Sequence, residues 1–321
     1  MLPRMKDFTT APANQGKFAD PAVTADGQPR ATVPLTALRT LWVNTGTLCN
    51  ITCESCYIES SPENDALVYF TAADLSAYLD EARRLGQPLE EVGFTGGEPF
   101  MNPEMLDMAR LALDAGHRVL ILTNAMRPMQ RPRVMDGIRA LNDDFPGQMR
   151  LRVSLDHPDP ALHDAERGAG AHEITLRGMR MLADAGIAMD VAGRARMAED
   201  EGTLRAAYET LFAAARFDID AWNPAQTVVF PEMDMTVEVP EITTACWGIL
   251  NKTPDSVMCS DARMVVRRKG ADGPAVLACT LLAYDAAFEL GASLAEADRP
   301  VALNHPHCAK FCVLGGASCS G

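Results

Sequence analysis

The chain has 321 residues, 29 of them basic and 43 acidic, for a formal net charge of -14 and a pI near 4.9. An acidic chain repels a phosphate backbone unless a local basic patch overrides it, which sets nucleic acid aside as a main partner. The apolar content of 47% suits a globular protein with a full core. No run of about eighteen apolar residues offers a membrane span, and the opening MLPRMKDFTTAPANQGKFAD lacks a secretion signal's apolar stretch, so a soluble cytoplasmic protein is expected.

In chain order, residues 1–38 are rich in Ala, Pro, Thr and Gly without periodicity and read as a flexible lead-in. TLWVNT then reads as a strand, and TAADLSAYLDEARRLG as a helix with Thr71 at its N-cap and Gly86 past its end. LEEVGFTGGEP is a second strand and turn, and a helix follows over about residues 103–115, with Pro103 in its first turn and Gly116 beyond it. RVLILTN, MRLRVSLDH, IAMDVAGR and QTVVF are four further strands, separated by the helices RPRVMDGIRALNDD, HEITLRGMRMLADAG and EGTLRAAYETLFAAARF. Six strands alternating with helices predict a parallel α/β sheet, open or barrel-like, over residues 39–235.

Ligands of such a sheet bind at the carboxyl ends of its strands. Those ends carry the cysteine loop after strand one, Thr95-Gly96-Gly97-Glu98-Pro99 after strand two and Asn124 after strand three. Strand four ends in Ser154 and Asp156, and strand five in Gly193 and Arg194.

The alternation stops at about residue 236. CSDARMVVRRKGADGPAVLAC reads as a β-hairpin with a cysteine at each outer end, and HPHCAKFCVLGGASCSG adds three more. Residues 236–321 are therefore expected to be a small cysteine-rich module held by a metal, since so little apolar sequence does not fold alone.

Nine cysteines in a reducing compartment point to metal binding or catalysis rather than disulfides. Cys49, Cys53 and Cys56 lie within eight residues, and the next cysteine is Cys246. Three thiolates fall one short of a structural zinc site. They suffice for three irons of a four-iron cubane, leaving the fourth iron open to an external ligand.

CNITCESC has the CxxxCxxC spacing of the radical S-adenosylmethionine enzymes, and GFTGGEP matches their glycine-rich turn. With LTN, VSLD, HDAERG and six βα units in the same order, residues 40–230 resemble that family. The resemblance implies a partial (βα)6 parallel barrel and a [4Fe-4S] cluster on Cys49, Cys53 and Cys56. Its open iron would bind the amino and carboxylate groups of S-adenosylmethionine. One electron from a reducing donor such as flavodoxin or ferredoxin would then cleave that molecule to a 5'-deoxyadenosyl radical, which abstracts hydrogen from substrate. Gly96, Gly97 and Glu98 would receive the methionine amino group, the glycines by letting backbone approach the ligand and the carboxylate by suiting an ammonium group. Asn124, Ser154, Asp156 and Arg194 would take the remaining polar contacts, with Arg196 a rival to Arg194 for the methionine carboxylate. Ser55 stands where the family usually has an aromatic residue that helps seat the adenine, and Tyr57 is the substitute at hand.

The C-terminal module resembles the twitch and SPASM auxiliary-cluster domains. That resemblance implies a second [4Fe-4S] cluster on Cys259, Cys279, Cys308 and Cys312, with Cys246 and Cys319 left over and His305 and His307 beside Cys308. Glu232 and Asp234, between the two parts, are candidates for contact with a cationic or hydroxylated substrate. The function expected is oxidation of, or bond formation on, a peptide or small polar substrate. The competing expectation is a non-catalytic zinc-binding scaffold or metal-sensing protein.

Overall fold

A computed structural model describes residues 16–196, 199–231 and 238–315. Strands β2 (Thr40–Asn44), β3 (Glu91–Thr95), β4 (Arg118–Thr123), β5 (Met149–Ser154), β6 (Met189–Ala195) and β7 (Thr227–Pro231) pair in parallel in chain order. The crossovers carry α1 (Ala72–Arg84), α2 (Met105–Asp114), α3 (Pro132–Asp144), α5 (Ala171–Asp184) and α6 (Glu201–Ala215). This is the partial (βα)6 parallel barrel expected from the sequence.

Local signals act as read. Thr71 caps α1 through a capping box with Asp74, and α1 buries Leu75, Tyr78, Leu79 and Ala82 against the sheet. Alternation along β2 sends Leu41 and Val43 to the helical layer and Trp42 to the barrel interior with Leu120, Met264 and Leu277. Gly93 makes room for that indole, since a Cβ there would lie 2.5 Å from the ring. A helix absent from the sequence reading is α4 (Pro160–Arg167), eight residues with His163 as its buried side chain. It is too short and polar for a periodic signal, and Asp159 starts it by accepting from the Ala161 and Leu162 amides.

The C-terminal hairpin forms from β8 (Ala262–Val266) and β9 (Ala275–Leu277), but not as a separate sheet. β8 pairs in parallel with β2, from Thr40 opposite Ala262 to Val43 opposite Val265, and β10 (Glu289–Gly291) adds antiparallel to β9. One nine-stranded sheet therefore runs across the boundary drawn at residues 235 and 236. The unpaired edge of β2 is what a hairpin with little apolar surface of its own needs.

The lead-in needs correction over its described part. β1 (Thr32–Val33) pairs with β11 (Val301–Ala302), Phe18, Ala31, Val33 and Leu38 are buried, and Arg30 makes a 2.5 Å buried ion pair with Glu241. Residues 16–38 are thus tied to the C-terminal half by pairing too distant in sequence to show as periodicity. Among the described residues no helix is long and apolar enough to cross a membrane.

Candidate functional site

The carboxyl ends of the parallel strands open on a cavity of about 160 Å³, and Cys49, Cys53 and Cys56 all line it. The loop that carries them is held at several points: Cys49 N donates to Ser61 O at 3.0 Å, Ser60 N to Cys56 Sγ at 3.3 Å, and Glu54 N to Glu166 O at 3.1 Å. Tyr284, beyond β9, donates to Ile58 O at 2.9 Å and braces the far end. Burial pushes the Cys49 thiol up to about 12 and the Cys53 thiol up to about 11. Such thiols stay protonated at neutral pH, so a metal that binds them must displace the proton.

Gly96 and Gly97 line the same cavity, but their freedom serves a different neighbour from the one expected. Gly97 N donates to Gly46 O at 2.7 Å and Glu98 N to Leu48 O at 3.2 Å, so the turn docks on the cysteine loop. A Cβ at Gly97 would lie 2.1 Å from Leu48 O, and Gly96, at φ +133°, would place one 2.6 Å from Gly46 O. The glycines let two backbones touch. Glu98 departs further from expectation, because its buried carboxylate is not among the groups lining the cavity. It accepts from Thr123 Oγ1 at 2.8 Å, Asn124 N at 2.9 Å and Phe100 N at 3.3 Å, fixing the end of β4. Burial pushes it up to about 7 against those hydrogen bonds.

Asn124, Ser154, Asp156 and Arg194 are among the polar residues that line the cavity. Asn124 donates to Asn50 Oδ1 at 2.9 Å, joining β4 to the cysteine loop. Asp156 is gripped by Arg167 of α4, with Nε at 2.5 Å and Nη2 at 3.3 Å, and lies 4.0 Å from Arg194 Nε. Burial works against the Asp156 charge, but the two guanidinium groups outweigh it and hold its carboxyl below the usual range. Arg194 donates to the Ser55 hydroxyl, and Ser55 N donates to Glu166 Oε1 at 2.9 Å. Arg196 is exposed and two residues outside the cavity, so Arg194 is the one brought to the site. Glu166 and Arg167 have no role in the sequence reading, although HDAERG contains both.

The apolar lining includes Tyr57, Ile58, Leu122, Phe230, Leu281 and Phe311. Phe311 comes from the π-helical turn Cys308–Leu314, and only the fold brings it beside β7. Arg152 also lines the cavity and stands 3.6 Å from the buried Asp190 of the next strand.

A second, apolar cavity is lined by Cys259, Cys279, Cys308 and Cys312, with His307, and shares Leu281 with the first. Burial, reinforced by the neighbouring Cys279, pushes the Cys259 thiol up to about 12, and Cys308 is raised likewise. A set of four thiols meets the donor count of a fully ligated iron-sulfur cluster or of zinc. His307 N donates to His305 Nδ1 at 3.0 Å, with the rings 4.6 Å apart. Cys246 lies elsewhere, on α7 (Cys246–Leu250), its sulfur accepting from Thr243 N at 3.4 Å. Cys319, Glu232 and Asp234 lie outside the described residues. Among the described residues no three His, Cys, Asp or Glu side chains converge on one point as a single metal ion requires; the thiols of each set face a shared space.

A family model for the radical SAM superfamily matches residues 43–192. AdoMet-dependent heme synthase of Methanosarcina barkeri is 33% identical over 135 residues, which is 42% of this chain and 36% of that protein. The antilisterial bacteriocin subtilosin biosynthesis protein AlbA of Bacillus subtilis is 28% identical over 145 residues, 45% of this chain and 30% of its own length. The chain thus spans about a third of these curated relatives. In fold it is similar to native anSMEcpe, solved with bound AdoMet and a Cp18Cys peptide, at a TM-score of 0.54 and 12% identity, covering 80% of this chain and 79% of that one.

Proposed function

We propose, for a chain that belongs over residues 43–192 to the radical SAM superfamily, that it cleaves S-adenosylmethionine reductively and uses the resulting radical on a peptide or small polar substrate. The observation that carries this is the meeting of Cys49, Cys53 and Cys56 with the Gly96-Gly97 turn, Asn124, Asp156 and Arg194 around one cavity. The three thiolates would hold a [4Fe-4S] cluster with one iron open. When bound, the cluster supplies the electron for reductive cleavage of S-adenosylmethionine, whose stable product is 5'-deoxyadenosine.

The chain's own residues do the rest. The cavity-facing backbone of Gly96 and Gly97 receives the methionine amino group, with Glu98 fixing the turn from behind rather than touching the ligand. Arg194 matches a carboxylate with two donors. Ser154 and Asp156 offer a hydroxyl and a carboxylate to the ribose, and Arg167 keeps Asp156 ionised for that task. Tyr57 lends an aromatic face to the adenine. Phe230 and Phe311 exclude water from the side where substrate would meet the radical.

Cys259, Cys279, Cys308 and Cys312 would hold an auxiliary [4Fe-4S] cluster, for which the support is four thiols around one buried cavity beside the first. The name of the AdoMet-dependent heme synthase supports a reaction that uses AdoMet, and the peptide bound to anSMEcpe favours a peptide substrate. The chain would work in the reducing cytoplasm with a flavodoxin- or ferredoxin-type donor.

The test is iron and sulfide per chain after anaerobic reconstitution, with 5'-deoxyadenosine measured after dithionite. Roughly eight irons, falling to about four in the Cys49→Ala, Cys53→Ala, Cys56→Ala variant together with loss of 5'-deoxyadenosine, is the expected result. A colourless chain holding zinc and making no 5'-deoxyadenosine would instead establish the scaffold reading.

A further inference from the structure

Glu166 is bonded three ways to the stretch between the second and third cysteines. Its carbonyl accepts from Glu54 N at 3.1 Å, its Oε1 accepts from Ser55 N at 2.9 Å, and the same Oε1 accepts from the Ser55 hydroxyl. The Ser55 oxygen in turn accepts from Arg194 Nη1. The next residue, Arg167, is locked to Asp156 at 2.5 Å. The carboxyl end of α4 is therefore fixed to the end of β5, and through Glu166 it fixes both the cysteine loop and the guanidinium at the end of β6.

We propose that Glu166 is a positioning residue for the cysteine loop: it holds Cys53 and Cys56 at ligand spacing and, through Ser55, aims Arg194 into the cavity. This rests on the reading above that these thiols hold a cluster. The physical reason is entropic and geometric. A loop that must become ordered to bind loses part of the binding free energy, whereas one held by a neighbouring helix is ordered beforehand. Groups that orient metal ligands without touching the metal commonly change retention by about 10- to 100-fold.

The role is tested on the reconstituted chain by the rate at which an iron chelator abolishes the electron paramagnetic resonance signal that shifts on adding S-adenosylmethionine. Such a shift reports the open-iron cluster alone. Glu166→Ala is expected to lose that signal about tenfold or more faster than wild type. Glu166→Gln keeps an oxygen acceptor for the Ser55 amide and hydroxyl, and is expected to stay close to the wild-type rate. Ser55→Ala keeps the two backbone bonds to Glu166 but releases Arg194. It should retain iron as wild type does and bind S-adenosylhomocysteine about three- to tenfold more weakly by calorimetry. If Glu166→Ala does not fold, Glu166→Asp, which withdraws the carboxylate from Ser55, takes its place with the same expectation.

Loss at the wild-type rate in Glu166→Ala or Glu166→Asp would overturn this role while leaving the cluster reading intact. So would equally fast loss in Glu166→Gln, because an acceptor at that position would then not matter. A wild-type chain with no S-adenosylmethionine-sensitive signal would overturn the reading of the site, and the positioning role with it.

Discussion

Phe230, near the end of β7, stacks on Phe311 of the π-helical turn, with ring centroids 5.2 Å apart and planes inclined by 27°. The pair closes the apolar wall of the first cavity and joins the last parallel strand to the segment that carries Cys308 and Cys312. Offset aromatic pairs contribute beyond their buried area. A double-mutant cycle with Phe230→Leu and Phe311→Leu, read by denaturant unfolding, should return a coupling of about 0.5–1.5 kcal/mol. Strict additivity would mean that the two segments are stabilised independently.

Gly97→Ala should disrupt the site through backbone alone. The added Cβ would meet Leu48 O at 2.1 Å, and neither partner is a flexible side chain that can swing away. Either the turn or the cysteine loop must shift, costing about 1–3 kcal/mol or more. The measurement is S-adenosylhomocysteine affinity with thermal stability, and both should fall. Gly248→Ala, whose Cβ would meet nothing within 4 Å, should leave both near wild type.

The Asp156–Arg167 pair is buried, and removing one partner strands the other. Arg167→Met should lower stability by about 3–5 kcal/mol at neutral pH, because the Asp156 carboxylate loses its principal counter-charge in a low-dielectric site. Adding Asp156→Asn to that variant should restore much of the stability, whereas S-adenosylhomocysteine binding should stay weak. Unfolding midpoints of the three chains decide this, and a double variant no more stable than Arg167→Met would refute the pairing argument.

His163 gives a pH dependence of definite sign. It is fully buried, neither ring nitrogen has a hydrogen-bond partner among the described residues, and burial, with Arg167 close by, pushes it down to about 4. The unfolded chain takes up this proton near pH 6.5 and the folded chain only near 4, so the stability it contributes is present above pH 6.5 and lost as pH falls towards 4. The loss is at most about 3 kcal/mol. His163→Leu should flatten the fall of thermal stability between those values, and an unchanged slope would assign the acid sensitivity to other groups.

The parallel barrel was legible because each of its elements carries a local cause: alternating strands, Thr71 before α1 and Gly116 after α2. The first thiol set was legible for a similar reason, since Cys49, Cys53 and Cys56 must share one loop and cannot escape each other. α4 was not, being one eight-residue helix whose buried side chain is a histidine, and with it went Glu166 and Arg167. A carboxylate beside two glycines has the chemistry of an ammonium ligand, but chemistry does not tell which way a side chain turns, and Glu98 turns to Thr123 and Asn124.

The sequence by itself thus determined the order of the parallel strands, the residues at their ends and the grouping of Cys49, Cys53 and Cys56, because these depend on chain periodicity and on spacings of a few residues. Tertiary structure alone decided that β8 extends the barrel sheet beside β2, that Arg30 meets Glu241, and that Phe311 stacks on Phe230 at the cavity wall. Those contacts join residues from 81 to 222 positions apart. Their physical cause is the burial of a sheet edge, a charge and two rings, each satisfied by whichever distant partner the packed chain brings within reach.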